Sequence, residues 1–315
     1  MKAFNNNVFM IVVIYNGMRN NWIQKCFDSI INSTIPVKII AIDNNSSDNS
    51  VEFIKENYSE VDLIENKENK GFGGANNQGI LHALEQGAEY FFLLNQDAWV
   101  DQNTIEDLIK ISHNNPEFGV ISPIHLNGKG DALDYNFSNY IVPSSCKELY
   151  SDFVLNQTKP KIYESGFICA AAWLLTKKCV EKVGGFSPTF FHYAEDDNYI
   201  HRLKYKGLKI GVYPKVFIYH DREGRDNSIY FNPSISNERK LLLEFSNPNQ
   251  SLNHKKELNI IRNKIIKNIL LFNFKEVERL KKQKDLINKT IQKSIYNLTL
   301  SKEDKSYIFL DFNIL

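Results

Sequence analysis

Several polar clusters in this 315-residue chain directly follow apolar runs, and their side chains suit gripping a phosphorylated ligand and moving a proton. Tyr15-Asn16-Gly17, the run Asp43 to Asp48, Asn95-Gln96-Asp97 and His220-Asp221 are four of them. Asp43 is placed to accept hydrogen bonds from a base or ribose, although an Asx turn opening the next helix uses the same residue. Asp97 offers one carboxylate at the pocket mouth, where a hard divalent cation bridging phosphates binds, or caps a helix. His220 could add an imidazole to that cation, or serve the core. Glu195-Asp196-Asp197 crowds three carboxylates, and like charges that close raise one another's pKa, as a general base requires. The same triplet also suits a helix N-terminus and nothing more. The stretch Asn69 to Gly79 lets backbone approach a ligand, but it lacks the G-x-G-x-x-G and G-K-[ST] spacings, which disfavours a dehydrogenase or an NTPase.

The elements that must position these groups alternate strictly. Val8 to Tyr15 and Val37 to Ile42 are apolar and β-branched, as in strands covered on both faces. Trp22, Cys26, Phe27, Ile30 and Ile31 recur between them at helical spacing, so the first 43 residues form a βαβ unit. Ser47 or Asp48 is expected to cap a helix carrying Val51, Phe53, Ile54 and Tyr58, followed by a strand at Val61 to Ile64. A glycine-rich turn at Gly71 to Gly74, a helix through Ile80, Leu81 and Leu84, and a strand at Ala88 to Asn95 come next. This order predicts an open, mostly parallel α/β sheet flanked by helices, with ligands beyond the carboxyl ends of its strands. Leu126 to Glu164 has no readable pattern, and Gly166 to Leu175 is expected to be a buried strand running into a helix. Glu195 to Lys206 is helical up to Gly207, and Ile210 to Tyr213 and Val216 to Tyr219 are short strands.

Beyond residues 226 to 234 the composition becomes Lys-, Asn-, Leu- and Ile-rich with helical periodicity. The stretch His254 to Leu298 holds 12 Lys or Arg against 4 Asp or Glu, in a chain whose formal charge is +1, so the rest is net acidic. Leu258, Ile261, Ile265, Ile269 and Phe272 form an apolar stripe between Lys255, Lys256, Arg262, Lys264 and Lys267. Such a helix fits an anionic membrane surface, the catalytic domain, or a second copy of the chain in a homodimer. Nucleic acid is disfavoured, since neither a base-reading module nor a stacking platform accompanies the charge. Cys26, Cys146, Cys169 and Cys179 show no C-x-x-C spacing and are expected to be reduced thiols. Neither a signal peptide nor a membrane span is legible, so the expected location is cytoplasmic or peripheral at the inner face of the plasma membrane.

Taken in order, VVIYN (Val12 to Asn16), DNNSSDNS (Asp43 to Ser50), NKGFGGANNQG (Asn69 to Gly79), LLNQDAWV (Leu93 to Val100) and the run Gly184 to Gly207 resemble the family-two inverting glycosyltransferases of the GT-A fold. Within them the chain is most similar to the rhamnosyltransferase-like branch. The resemblance implies a GT-A-like catalytic domain over residues 1–230 and a basic, mainly helical region over 231–315. It implies that Tyr15, Asn16, Asp43, Asn45, Asn69, Gly71, Asn77, Asn95 and Asp97 bind a nucleotide sugar, that Asp97 and His220 hold Mg²⁺ or Mn²⁺, and that Asp196 deprotonates the acceptor. The donor would be dTDP-rhamnose, with UDP-hexoses or a galactofuranose donor next, and the acceptor a glycan or lipid-linked glycan. The sequence departs from the pattern where Asn95 stands at the first D-x-D position, Gln96 replaces a common proline, and Asn198 ends the E-D-x-D. Those asparagines also motivate a rival reading as an inactive nucleotide-sugar-binding relative. A pyrophosphorylase is disfavoured, because YNGMRNN follows the first strand in place of a glycine-rich basic loop.

Overall fold

The computed structural model describes residues 7–222, 232–251 and 254–310. The sequence boundary near residue 230 lies outside the described residues. The chain order is β1 (Val8–Ile14), α1 (Trp22–Ile31), β2 (Lys38–Asp43), α2 (Ser50–Asn57), β3 (Asp62–Glu65), α3 (Gly71–Glu85), β4 (Tyr90–Asn95), β5 (Ala98–Val100), α4 (Thr104–His113) and β6 (Phe118–Asn127). Then follow α5 (Tyr135–Tyr140), α6 (Pro143–Val154), β7 (Tyr163–Glu164), β8 (Ala172–Thr176), α7 (Lys177–Val183), α8 (Glu195–Tyr205), β9 (Lys209–His220), α9 (Pro233–Phe245), α10 (His254–Leu270) and α11 (Phe274–Lys302).

One sheet runs β3-β2-β1-β4-β8-β6-β9-β5, with β7 on β9. The pairs β1–β2, β1–β4, β2–β3 and β6–β9 are parallel, whereas β8, β5 and β7 run against their neighbours. The architecture is therefore the open, helix-flanked α/β sheet of a GT-A-like fold, parallel over β3-β2-β1-β4 and mixed beyond. The continuous apolar runs follow from burial on both faces: Phe9, Ile11, Phe91 and Leu93 pack in one core while Met10, Val12, Phe92 and Leu94 pack in the other. Helix α3 lies close on this sheet at Gly79, where a Cβ would stand 2.5 Å from Ile11 and 2.7 Å from Ile42.

The structure corrects several expected elements. The glycines 71–74 are not a turn but the first turn of α3. Helix α2 starts at Ser50 behind Asn49, which makes no side-chain cap; the Asp48 carboxylate accepts from the Ser50 amide at 3.1 Å instead. The strand after residue 166 begins only at Ala172. The two short strands after Gly207 are a single β9, whose pairing with β6 slips between Ser122 and Ile124, opposite Val212 and Phe217. Pro214 falls in that slip, where its missing N–H costs no ladder bond. The stretch read as patternless holds α5, α6 and β7. Asp134 caps α5 by accepting from the Phe137 amide at 2.8 Å, and Pro143 opens α6, where no N–H is needed. The six residues of α5 bury only Phe137, and α6, kinked at Cys146, buries only Cys146 and Leu149, too few for a period to emerge.

The C-terminal helices pack on one another through Phe245, Ile261, Leu280 and Ile287, and α11 reaches the sheet-bearing half at Asn297. That side chain accepts from Asn198 at 3.3 Å and donates to Ser187 Oγ at 2.6 Å. No helix among the described residues is long and apolar enough to cross a membrane.

Gly71 has φ +74°, and a Cβ there would lie 2.0 Å from the carbonyl oxygen of Phe191. Gly71→Ala should therefore cost about 2–4 kcal/mol through left-handed strain and displacement of that loop. Thermal unfolding checks it; an unchanged midpoint would show that the loop yields freely.

Candidate active site

The carboxyl edge of the parallel strands gathers the polar clusters. At the end of β2, Asp43 is 3% exposed. Its Oδ2 accepts from the amides of Asn45 and Ser46, both at 3.1 Å, while its Oδ1 is buried without a hydrogen-bond partner. The Asx turn and an open acceptor thus coexist on one carboxylate. Asn16, at the end of β1, accepts from the Ser47 amide at 2.8 Å and donates its own N–H to Ser46 Oγ at 3.0 Å, joining the first two strand exits. Tyr15 and Asn45 are exposed on this rim, Asn45 with φ 67°.

Asn69 accepts from Asn44 Nδ2 at 2.9 Å and from the Gly71 amide at 2.8 Å. Asn44 also accepts from the Lys70 amide at 2.8 Å, so β2 and the start of α3 are locked together. Asn77 is not brought to this edge. Its amide donates to the carbonyls of Phe186 and Phe309 and accepts from the Phe186 N–H. Gln96 brackets Tyr15 with two 2.9 Å hydrogen bonds to its backbone, so the residue in place of proline ties β4 to β1.

Asp97 is not at the mouth of a pocket but 1% exposed, with a short strand, β5, between it and the next helix. Antiparallel pairing of β5 with β9 sets Ala98 opposite His220. His220 Nε2 then lies 3.3 Å from Asp97 Oδ1 and 3.4 Å from Asn95 Nδ2. Burial first, and Arg222 second, push the His220 pKa down to about 3, leaving a neutral imidazole. Its Nδ1 faces Asp134 Oδ2 at 3.7 Å, and Arg222 Nε pairs with that same oxygen at 2.8 Å. Asp134 thus stands beside the imidazole without hydrogen-bonding to it, a neighbour hidden in the patternless stretch; the Asp-x-x-Phe cap of Asp134 and Phe137 is the available signal.

A cleft of about 660 Å³ opens beside these groups. Asn95, Asp196, Asp197, Arg222 and, from α9, Lys240 line it. Asp196 stands at the start of α8, accepting from the Asp197 amide at 2.9 Å and the Ala170 amide at 3.4 Å. Burial raises its pKa above the ordinary value. Asp197 is pushed up to about 7, and Glu195 well above the carboxylate range, in both cases by burial first and by Asp196 second. Desolvation therefore outweighs the like-charge effect that the sequence suggested. Asn198, the departure in E-D-x-D, does not face the cleft. It is fully buried on the other side of α8, where Arg202 Nε donates to its Oδ1 at 3.1 Å. The Arg202 guanidinium is otherwise held by the carbonyls of Val183 and Gly185.

The family model described as Glycosyl transferase family 2 matches residues 9–184. Over 109 residues the chain is 33% identical to "Glycosyltransferase GlyA" of Streptococcus pneumoniae, covering 33% of this chain and 15% of that protein. It is 23% identical over 194 residues to "Low-salt glycan biosynthesis hexosyltransferase Agl10" of Haloferax volcanii, covering 59% of each. The chain thus spans less than two thirds of either relative. Solved structures similar in fold are GalNAc-T7 with UDP, GalNAc and Mn²⁺, at TM-score 0.52, 17% identity and coverage of 78% of this chain and 52% of that one. A second is S. aureus TarS 1-349 in complex with UDP-GlcNAc, at TM-score 0.51, 16% identity and coverage of 81% and 70%.

Because Glu195 binds its proton more tightly folded than unfolded, the fold loses stability as pH rises from about 4, the unfolded value, through the raised folded value. Glu195→Gln should raise the melting midpoint at pH 8 by about 2–4 °C, the response to about 1 kcal/mol in a chain of this size, and change it little at pH 4. A lowered midpoint at pH 8 would contradict the assignment.

Proposed function

The chain belongs to glycosyl transferase family 2, and from that premise we propose that it moves a sugar from a pyrimidine nucleotide diphosphate to a hydroxyl of a glycan or lipid-linked glycan, with inversion, in cell-surface polysaccharide synthesis. One observation carries this reading: Asp196, a carboxylate of raised pKa, shares a cleft with Asn95, whose amide reaches the His220–Asp97 pair. The base acts at one end of the cleft, and the grip on the diphosphate lies at the other.

Asp43 Oδ1, buried and unpartnered, suits the N3–H that uracil and thymine share, or a ribose hydroxyl. The exposed Tyr15 and Asn45 and the half-buried Asn16 frame that position. Resemblance favours dTDP-rhamnose, while the UDP and UDP-GlcNAc of the structural neighbours support a uridine donor; Asp43 accommodates either base. Asp196 takes the proton of the attacking hydroxyl as the new bond forms, in line with the departing diphosphate. Its burial raises its basicity above that of an ordinary aspartate, and the amides of Ala170 and Asp197 hold its two oxygens in place.

Asp97 and His220 fit a divalent cation, Mg²⁺ or Mn²⁺. The neutral His220 has its Nε2 3.3 Å from an Asp97 oxygen, and in the tautomer protonated at Nδ1 that nitrogen has a lone pair to offer. Two buried acceptors so close favour a positive charge nearby. Among the described residues no three His, Cys, Asp or Glu gather to hold an ion unaided, so oxygens of the donor would complete the shell. The cation, when bound, offsets the charge developing on the leaving diphosphate. Asn95 contributes hydrogen bonding and no charge.

The rival reading as an inactive relative loses one of its two supports, since Asn198 lies behind α8 and away from the cleft. Catalysis is assigned to residues 1–230, with the region 231–315 lending Ser236, Arg239 and Lys240 of α9 to the cleft wall. The work is assigned to the cytoplasmic side of the membrane.

Asp196→Asn should keep donor affinity and lose at least about 10²-fold in transfer rate, the lower end of what a positioned base supplies. The wild-type rate should fall on the acid side at a pH above the ordinary aspartate range. Normal transfer by Asp196→Asn would remove Asp196 from the chemistry. In Asp97→Ala, calorimetric titration should find donor affinity reduced about tenfold or more with the cation present and unchanged in chelator; an unaltered affinity with cation would place the metal elsewhere.

A further inference from the structure

Helices α10 and α11 form a hairpin whose packed side chains reach as far towards its end as the half-buried Ile265 and the buried Val277. Beyond these the hairpin continues as an apolar tip. Ile269, Leu270, Leu271, Phe272 and Phe274 are all exposed there, Leu270 at 74% and Phe272 at 80%. The chain reverses at Phe272, in a left-handed conformation with φ 55°, and its ring meets Phe274 edge-on at 6.3 Å. The sequence stripe through Leu258, Ile261 and Ile265 therefore divides: those three side chains pack within the bundle, whereas Ile269 and Phe272 project past it.

Around the tip the charge has one sign. From Arg262 to Lys284 the chain carries eight Lys or Arg against two Glu. Both glutamates are already engaged, Glu276 with Arg279 and Glu278 with Lys282. Arg262, Lys264, Lys267 and Lys275 are exposed beside the tip.

We propose that this tip inserts into the interfacial layer of an anionic phospholipid bilayer, with the basic collar lying on the headgroups. The two features call for the same partner: the convex apolar end needs a medium that closes around it, and the collar needs negative charge at the rim of that medium. A second copy of the hairpin supplies the apolar contact but sets one basic collar against another. Phe274 lies 23 residues from Asn297, the contact of α11 with α8, so the tip stands about 35 Å along the helix from the catalytic half. The hairpin is then an arm that holds the cleft near the membrane without occupying it. This inference does not depend on the donor or on transfer.

Flotation of the purified chain with phosphatidylcholine vesicles, with and without phosphatidylglycerol, tests it. The chain should float with the phosphatidylglycerol vesicles and fall away as salt is raised. The triple variant Leu270→Ser, Leu271→Ser, Phe272→Ser should lose binding about tenfold or more at an unchanged melting midpoint, since these side chains touch no core. Lys267→Gln with Lys275→Gln should weaken binding and flatten its salt dependence. Failure of the wild type to float, equal binding by the triple variant, or a wild-type dimer that the triple variant turns into a monomer without any vesicle binding would each overturn the proposal.

Discussion

The pairing of β5 with β9 sets Ala98 opposite His220, and that register decides which groups meet at the carboxyl edge. Because β5 turns back directly after Asp97, the Asp97 carbonyl accepts from the Asp221 amide at 2.9 Å, and the carboxylate is pressed against the imidazole. A slip of one residue would reverse every side chain of β5 and separate the pair. The same junction fixes more: Asp221 Oδ2 accepts from Trp22 Nε1 at 2.9 Å at the start of α1, and Asp134 reaches over from α5. Strand ends from distant parts of the sequence are thus welded at one point, and the cleft opens beside it.

Much of this was legible beforehand, for a physical reason. Strands buried on both faces must be apolar throughout, so β1, β2 and β4 stand out, and the polar residues ending them mark the functional edge. Asp43, Asp97 and His220 are legible as candidates that way, and Asp196 from its place in the carboxylate triplet. What was not legible depends on contacts made across the sheet. Asn69 and Asn77 look alike in the glycine-rich stretch, but Asn69 braces β2 against α3 while Asn77 holds the Phe186 and Phe309 backbone. Asp134 escapes because α5 spans only six residues and α6, broken by the non-helical Cys146, buries only Cys146 and Leu149, so neither shows a period. Asp97 was placed at a mouth because the three residues of β5 carry no recognisable strand pattern, and its burial follows from them.

The helix that carries Asp196, the proposed base, is supported from behind by the C-terminal region. Asn198 and Arg202 on α8, Asn297 on α11 and the carbonyls of Val183 and Gly185 form one buried polar network. A buried guanidinium is tolerated there because two carbonyls and an amide receive it, with the rings of Tyr199 and Phe309 each 5.0 Å away. Burial lowers the Arg202 pKa to about 10, which leaves it charged at neutral pH. An asparagine at position 198 is therefore an element of the support for α8, and Asp196 on the opposite side remains free to face the cleft.

The most direct test of the cleft as a metal-assisted nucleotide-sugar site is a thermal-shift comparison of dTDP-, UDP- and GDP-sugars, each with Mn²⁺ and with chelator. A ligand that binds only the folded chain must raise its melting midpoint. A rise with dTDP- or UDP-sugars that requires the cation, and none with GDP-sugars, is the expected result. Equal stabilisation in chelator, or none with any nucleotide, would contradict the roles given to Asp43, Asp97 and His220.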